Sequence, residues 1–465
     1  MNADPRTFKD SAHEALTDAK LKSALGRLKT HFALRRQEST ERYGDFEGLR
    51  EAGKAIRDYA IANLDTLLET FERNVIVRGG QVHWARDAAE AQVIILGILR
   101  EANAKTVTKG KSMVSEEIGL NAYLEANGLM PIETDLGEYI IQLRKEPPSH
   151  IIAPAFHLHK EQVEETFREA HTSLDPNRSL DQRQALVAEA RTMLRTSFEA
   201  ADAGITGANF LSATEGAAVI VTNEGNGDLT RLLPRTHIVL TGIEKIVPDL
   251  GDVAVLLRLL TRSATGQEIS SYVSIMSGPT GEHPDSAFHV VLLDNGRSKL
   301  LGTEAQEVLR CIRCAACLNH CPIYGAIGGH AYGATYPGPI GAALNPGLIG
   351  DSTYHHPNAS TFCGRCAEVC PVKIPLPTIM RHWRAKEYAD GLAPKAMVAG
   401  LSIWAFAAKR PVLYRLGARI MARMLKLISR NGAVHSLPLV RGWFAVRDLP
   451  APQGKTFQEL WRERA

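Results

Sequence analysis

Seven cysteines carry the plainest chemistry in this chain. All lie between Cys311 and Cys370, with none in the first 310 residues or the last 95. Cysteines used as small core hydrophobes are scattered, and disulfides belong mainly to exported proteins. Met1-Asn-Ala-Asp-Pro-Arg has no apolar signal-peptide core, so the expectation is a cytoplasmic protein with metal-bound thiolates. The first run, Cys311-x2-Cys314-x2-Cys317-x3-Cys321-Pro322, has the bacterial ferredoxin spacing. A cuboidal 4Fe–4S cluster needs one thiolate on each iron, and a tight loop can deliver three. The fourth cysteine, ahead of proline, turns to a second cluster. A shorter run follows, Cys363-x2-Cys366-x3-Cys370-Pro371. Crosswise pairing gives cluster one Cys311, Cys314, Cys317 and Cys370, and cluster two Cys321, Cys363 and Cys366. A zinc site closed by two CxxC pairs is the competing reading, but zinc requires neither this spacing nor Cys-Pro at the end of both runs.

Cluster two is one thiolate short, because Ser360 stands where a complete second run would begin. Either that cluster is a three-iron 3Fe–4S form, or its fourth iron takes the Ser360 oxygen, a nearby histidine or water. His355 and His356 are close in sequence, and their plainer reading is as solvent-exposed loop residues.

The elements that must position these residues span 465 residues, enough for two or three folded units. Residues 1–70 read as a polar helical segment. From 71 to 298, helical and β-like stretches alternate, which argues an α/β domain with a largely parallel sheet. Strands are expected at Asn74–Val77, Met130–Thr134, His150–Pro154, Ala217–Thr222, His237–Thr241, Ile269–Ile275 and Phe288–Asp294. Helices are expected at 87–103, 114–127, 159–173 and 181–199. Residues 299–390 form the two-cluster ferredoxin-type segment, and 391–465 a basic amphipathic region. There Arg415, Arg419, Arg423, Lys426 and Arg430 recur at helical spacing on one face.

Charge separates the same parts. From Arg381 onward sixteen Lys or Arg face five Asp or Glu, +11, while the rest carries −8. A basic tail without a reading motif argues a docking surface rather than a nucleic-acid binder. The uncharged run Met397–Ala408 is too short to cross a bilayer, which needs about 20 residues.

Further motifs fill out the α/β part: Lys111-Ser-Met-Val-Ser-Glu-Glu-Ile, Glu133-Thr-Asp-Leu-Gly-Glu-Tyr, Pro147-Pro-Ser-His-Ile-Ile-Ala-Pro-Ala and Thr206-Gly-Ala-Asn-Phe. Val221-Thr-Asn-Glu-Gly-Asn-Gly, Thr241-Gly-Ile-Glu-Lys-Ile-Val-Pro and Phe288-His-Val-Val-Leu-Leu-Asp-Asn-Gly-Arg follow, with Ile327-Gly-Gly-His-Ala-Tyr-Gly and Tyr336-Pro-Gly-Pro-Ile-Gly among the cysteines. Together with the cysteine runs, the chain resembles the lactate utilization protein B family, iron–sulfur subunits of an L-lactate oxidation complex. The resemblance implies a sugar-isomerase-like α/β fold, a helical two-cluster ferredoxin domain and a family-specific C-terminal region. It also implies companion subunits, one cysteine-rich and one carrying a related α/β domain.

Among the remaining features, Val221–Gly227 could offer backbone N–H groups to an anion, or be a plain strand-to-turn connection. Lys111–Glu117 could bring a lysine and carboxylates to a cleft, or be a helix start capped by Ser115. His289 reads as a sheet histidine. No residue has the partner of an activated nucleophile or base, so no catalytic residue is expected. Nor is there a flavin or nicotinamide fingerprint. The leading expectation is an electron-transfer subunit of an L-lactate dehydrogenase complex, located in the cytoplasm or peripherally at the inner membrane face near a quinone. The alternatives are a catalytic chain, binding lactate in the α/β domain or at a non-thiolate iron, and a redox-sensing module.

Overall fold

The computed structural model describes residues 4–280, 285–437, 444 and 447–464. Residues up to Glu387 form one compact unit and Tyr388–Ala465 a second.

The first unit is built on ten strands: β1 (Gln81–Ala85), β2 (Thr106–Lys109), β3 (Met130–Glu133), β4 (Ala203–Thr206), β5 (Phe210–Ser212), β6 (Ala217–Thr222), β7 (Thr236–Gly242), β8 (Ile246–Val247), β9 (Tyr272–Met276) and β10 (Ala287–Leu293). Six of them form an all-parallel sheet in the order β1-β10-β7-β4-β2-β3. The other four form a mixed sheet, β8-β5-β6-β9. Alternate residues of the parallel strands feed two cores, as a period of two requires. Ile238, Leu240, Val291 and Leu293 pack with Ile95 and Leu99 of the helix Ala88–Glu101. Val239, Val290 and Leu292 pack on the opposite face with Leu68, Phe71 and Val75.

Those last three residues correct the strand expected at Asn74–Val77. This stretch is the last turn of the helix Leu64–Val77. Leu68, Phe71 and Val75 repeat at helical spacing, and burying that stripe outweighs the β preference of Val-Ile-Val. Gly79, in the left-handed conformation, ends the helix, and the Gly80 N–H donates to Val75 O at 3.0 Å. The strand begins only at Gln81. The strand expected at His150–Pro154 is also absent. Ser149 donates from both its N–H and its hydroxyl to Pro154 O, and His150 Nδ1 accepts the N–H groups of Ile152 and Ala153 at 3.1 Å each. Side-chain acceptors close a turn here in place of a ladder.

The helix expected at 114–127 is two, Met113–Glu117 and Leu120–Ala126, broken at Gly119 with φ +61°. Its cap is Ser112, which accepts the Ser115 N–H, not Ser115. Ser115 donates its hydroxyl to Ser112 O and accepts from Lys109 Nζ at 2.7 Å.

The largest core joins three sequence-distant parts. Leu25 and Leu49 of the N-terminal helices, Leu256 and Leu259 of Leu250–Thr265, and Ile312, Leu318, Ile374 and Leu376 of the cysteine segment pack together. The cysteine loops are therefore framed by the α/β domain and the N-terminal helices.

In the second unit, helices Lys395–Ala408 and Pro411–Ile428 meet at 113°. Among the described residues no single helix is long and apolar enough to cross a membrane, although this bent pair together reaches that length and composition. Ile403, Trp404, Phe406 and Leu427 are exposed. Arg415, Arg419, Arg423 and Lys426 lie on the second helix, and Arg430 falls beyond its end, where it bridges to Ala433.

Candidate metal centre and adjoining cavity

Two small cavities divide the seven cysteines between them. Cys311, Cys314, Cys317 and Cys370 line one, with Ile312, Ile340 and Val372. Cys321, Cys363 and Cys366 line the other, beside Ser360 and His356. The electrostatic neighbours divide in the same way. Cys314 lies within the field of Cys370 and Cys311, Cys366 within that of Cys321 and Cys363, and Cys317 near Cys366 joins the two sets.

The loops are shaped for this task. Arg313 and Ala315 take left-handed backbone at φ 59° and 60°. Within the loops the Arg313 N–H points at Cys311 Sγ at 3.4 Å, the Tyr324 N–H at Cys321 Sγ at 3.5 Å and the Ile374 N–H at Cys370 Sγ at 3.3 Å. The thiols are costly to ionise unaided. Burial, with Cys321 nearby, pushes Cys366 up to about 12, and burial raises Cys370 to about 11. Iron cations remove that penalty. Apolar pockets, converging thiols and N–H groups aimed at sulfur all fit iron–sulfur clusters. Among the described residues, no group of three His, Cys, Asp or Glu is placed to hold a single metal ion.

The cavity with three cysteines also corrects the reading of the histidines. His356 is 0% exposed, and neither ring nitrogen has a hydrogen-bond partner. The Tyr332 backbone leans toward it without closing one. Burial, with His355 beside it, lowers it to about 3. His355 is half-buried and bonds Pro5 O at 3.0 Å. Ser360 accepts the Phe362 N–H at 3.1 Å.

Buried charges tie the first loop to the end of β7. Arg313 reaches Glu244 at 3.3 Å, and Glu244 pairs with Arg297 at 2.6 Å. Arg297 in turn pairs with Glu117 at 2.8 Å, and Glu117 accepts the Tyr336 hydroxyl at 2.7 Å. Arg57 donates to the carbonyls of Ile246 at 2.9 Å and Leu309 at 3.0 Å, and to that of Glu244. Burial alone would raise Glu244, but Arg297, Arg313 and Lys245 hold it down at about 2. From the N-terminal helices, Arg50 donates to Cys370 O at 2.8 Å and Arg36 to Val369 O at 3.0 Å.

Beyond Arg313 opens a cavity of about 290 Å³. Residues following β2 (Gly110–Val114), β4 (Gly207–Asn209) and β6 (Asn223, Glu224, Asn226 and Gly227) line it, together with Lys245 after β7. The Val221–Gly227 loop therefore serves as a cavity wall as well as a strand-to-turn connection. The carboxylates expected beside Lys111 divide: Lys111 and Ser112 face this cavity, whereas Glu116 and Glu117 face another crevice. His289 is a sheet residue as expected, within 3.1 Å of His83.

Sequence reading missed Lys245 and Arg313, and it missed the burial of His356. Lys245 had a signal, a charge inside the apolar run Ile243-Glu-Lys-Ile-Val that forms a buried strand end. His356 had none, because its burial comes from Phe8 and Tyr332, far away in sequence.

Fold and site together define a two-cluster iron–sulfur protein built on a parallel α/β domain. Residues 68–293 match the LUD domain family, 307–374 the 4Fe–4S dicluster domain, and 354–465 the family described as lactate utilisation protein B, C-terminal. The cofactors are two 4Fe–4S clusters. The chain is 42% identical to lactate utilization protein B of Geobacillus sp. (strain WCH70), covering 100% of this chain and 98% of the relative. It is 40% identical to that of Bacillus subtilis (strain 168), covering 98% and 96%. A crystal structure of a DUF162 family protein from Deinococcus radiodurans aligns remotely, at 15% identity and a TM-score of 0.28, over 50% of this chain and 98% of that one. The chain belongs to the lactate utilization protein B family.

Proposed function

We propose that this chain is the iron–sulfur electron-transfer subunit of an L-lactate-oxidising system. The observation that supports this best is the pair of adjoining cysteine-lined cavities, one of them tied through Arg313 to the end of the parallel sheet. Cluster one takes Cys311, Cys314, Cys317 and Cys370. Cys321, Cys363 and Cys366 would hold cluster two, in a cavity that Ser360 and His356 also line. Clusters held there would supply one-electron transfer chemistry. Oxidation of lactate to pyruvate releases two electrons and two protons, and two one-electron centres match that count.

The chain's own residues hold the relay in place. Arg50 and Arg36 anchor the second cysteine run by its carbonyls, while Arg57 and Glu244 fix the first loop to the sheet. Breaking the substrate C–H bond needs a hydride acceptor, or a base paired with an electron sink. Neither is recognisable in this chain, so it works with companion subunits, one cysteine-rich and one carrying a related α/β domain. The basic second unit is the surface through which it docks on an acidic partner face.

The test mixes anaerobic, cluster-replete protein with L-lactate and an artificial electron acceptor, with and without the companions. Turnover only in the reconstituted mixture, accompanied by lactate-dependent bleaching of the cluster absorbance, is expected. Turnover by the isolated chain overturns the carrier assignment.

A further inference from the structure

The parallel sheet has one topological switch point. After β2 the chain runs outward to β3, and after β4 it turns the other way to β7, although β2 and β4 are hydrogen-bonded neighbours. Ligands of open α/β sheets bind in the crevice outside the carboxyl ends of such strands. The 290 Å³ cavity lies there, walled by the residues that follow β2 and β4.

Its lining is mixed in the way small-ligand sites are. Val114, Ile152, Val221 and Leu240 supply apolar surface, and Asn226, Lys245 and Arg313 supply polar groups. Lys245 is 6% exposed, and no hydrogen bond or ion pair to it is found among the described residues. Its neighbour Glu244 is already committed to Arg297 and Arg313. Of the carboxylates on the cavity wall, Glu224 lies in the field of Lys111, and burial followed by Asp135 raises it. Burial and the nearby Arg313 disfavour this ammonium, with the field of Glu244 but no hydrogen bond among the described residues in return, and a bound anion would offset that cost.

We propose that this cavity binds a small monocarboxylate, a 2-hydroxy or 2-oxo acid, with Lys245 and Arg313 taking the carboxylate and the apolar wall taking its short carbon chain. The site rests on the cavity and on Lys245, while the acid class rests on the lactate reading above. Arg313 sits in the Cys311–Cys314 loop, so the ligand would lie against the first cysteine set. The competing role for Lys245 is to offset the negative charge of that cluster.

Calorimetric titration of anaerobic, cluster-replete full-length protein with L-lactate, pyruvate, acetate and inorganic phosphate separates these roles. One equivalent of L-lactate or pyruvate should bind and raise the melting temperature of the wild type. Lys245→Met should weaken that binding at least tenfold, keep its iron content and melt no lower without ligand, because it removes a buried charge that makes no hydrogen bond among the described residues. Lys245→Arg should recover part of the affinity. Absence of saturable carboxylate binding, or binding that Lys245→Met leaves unchanged, overturns the site. Phosphate binding alone overturns the ligand class. Failed binding alongside intact lactate-driven cluster reduction in the reconstituted mixture overturns the site and spares the carrier reading. Binding without such reduction does the reverse.

Discussion

At the scale of single residues, each cavity depends on sulfurs delivered from both cysteine runs. Cys314→Ser should therefore cost one cluster and spare the other, so that iron in anaerobic protein falls from about eight to about four per chain. Metal analysis and EPR check this, and loss of all iron contradicts the assigned sets. The fourth corner of cluster two offers a second test. An iron without a thiolate leaves readily on oxidation, so aerated wild type should develop the EPR signal of a three-iron cluster. Ser360→Cys supplies the missing sulfur and should suppress that signal. If the Ser360→Cys protein and wild type behave alike in air, Ser360 does not face the open iron.

Among the elements, the N-terminal helices matter most for the clusters, because Arg50 reaches across 320 residues to the Cys370 carbonyl. Arg50→Ala strips charge-assisted hydrogen bonds, each worth about 1.5–3 kcal/mol. Iron transfer to a chelator should be faster in the variant, and Arg50→Lys should recover part of the difference. The cysteine spacing was readable from sequence because a cluster imposes it locally. The sheet strands 217–222, 237–241 and 288–294 were readable because burial on both faces leaves unbroken β-branched runs. The helix over Asn74–Val77 and the turn at His150 were not. Their conformations are set by partners elsewhere, a core stripe shared with β7 and β10 in one case and a ring nitrogen accepting two amides in the other. The long-range pairs Arg50–Cys370 and Arg313–Glu244 leave no local signature at all.

Taken whole, the molecule couples its stability to pH through histidines buried in neutral form. Burial lowers His150 to about 4, His237 to about 3 and His289 to about 4. Their unfolded counterparts take a proton near 6.5, so the unfolded state binds more protons once the pH falls below that value. Stability is full above about pH 6.5 and is lost on the way down to about 4. Each such histidine contributes about 1.4 kcal/mol per pH unit in that window. Melting temperatures between pH 7.5 and 5 should fall accordingly. His237→Gln should start lower, having lost the 2.9 Å bond to Thr206, and its gap to wild type should narrow as the pH drops. A gap independent of pH contradicts this. Charge also divides the molecule: the last 85 residues carry +11 against −8 for the rest. Arg415 and Arg423 make no ion pair among the described residues, unlike Arg419, which pairs with Glu459 at 3.0 Å. Changing Arg415 and Arg423 to Glu should weaken co-purification with the companion subunits while leaving iron content unchanged. Unaltered complex recovery rejects the docking role.

The register of β1 against β10 has a consequence for how the chain is made. The first strand to leave the ribosome pairs with the last strand of its sheet, roughly 200 residues later. At typical synthesis rates that delay is on the order of ten to forty seconds. Arg36 and Arg50 wait longer still, because Val369 and Cys370 follow the completed sheet. The helices synthesised first thus complete their docking among the last, on the segment that receives iron. Until Cys370 has emerged, cluster one lacks its fourth sulfur and the N-terminal helices lack part of the surface they cover, although Leu250–Thr265 is already there to receive them. Maturation of the clusters and closure of the fold are in this way timed to the same late stretch of translation.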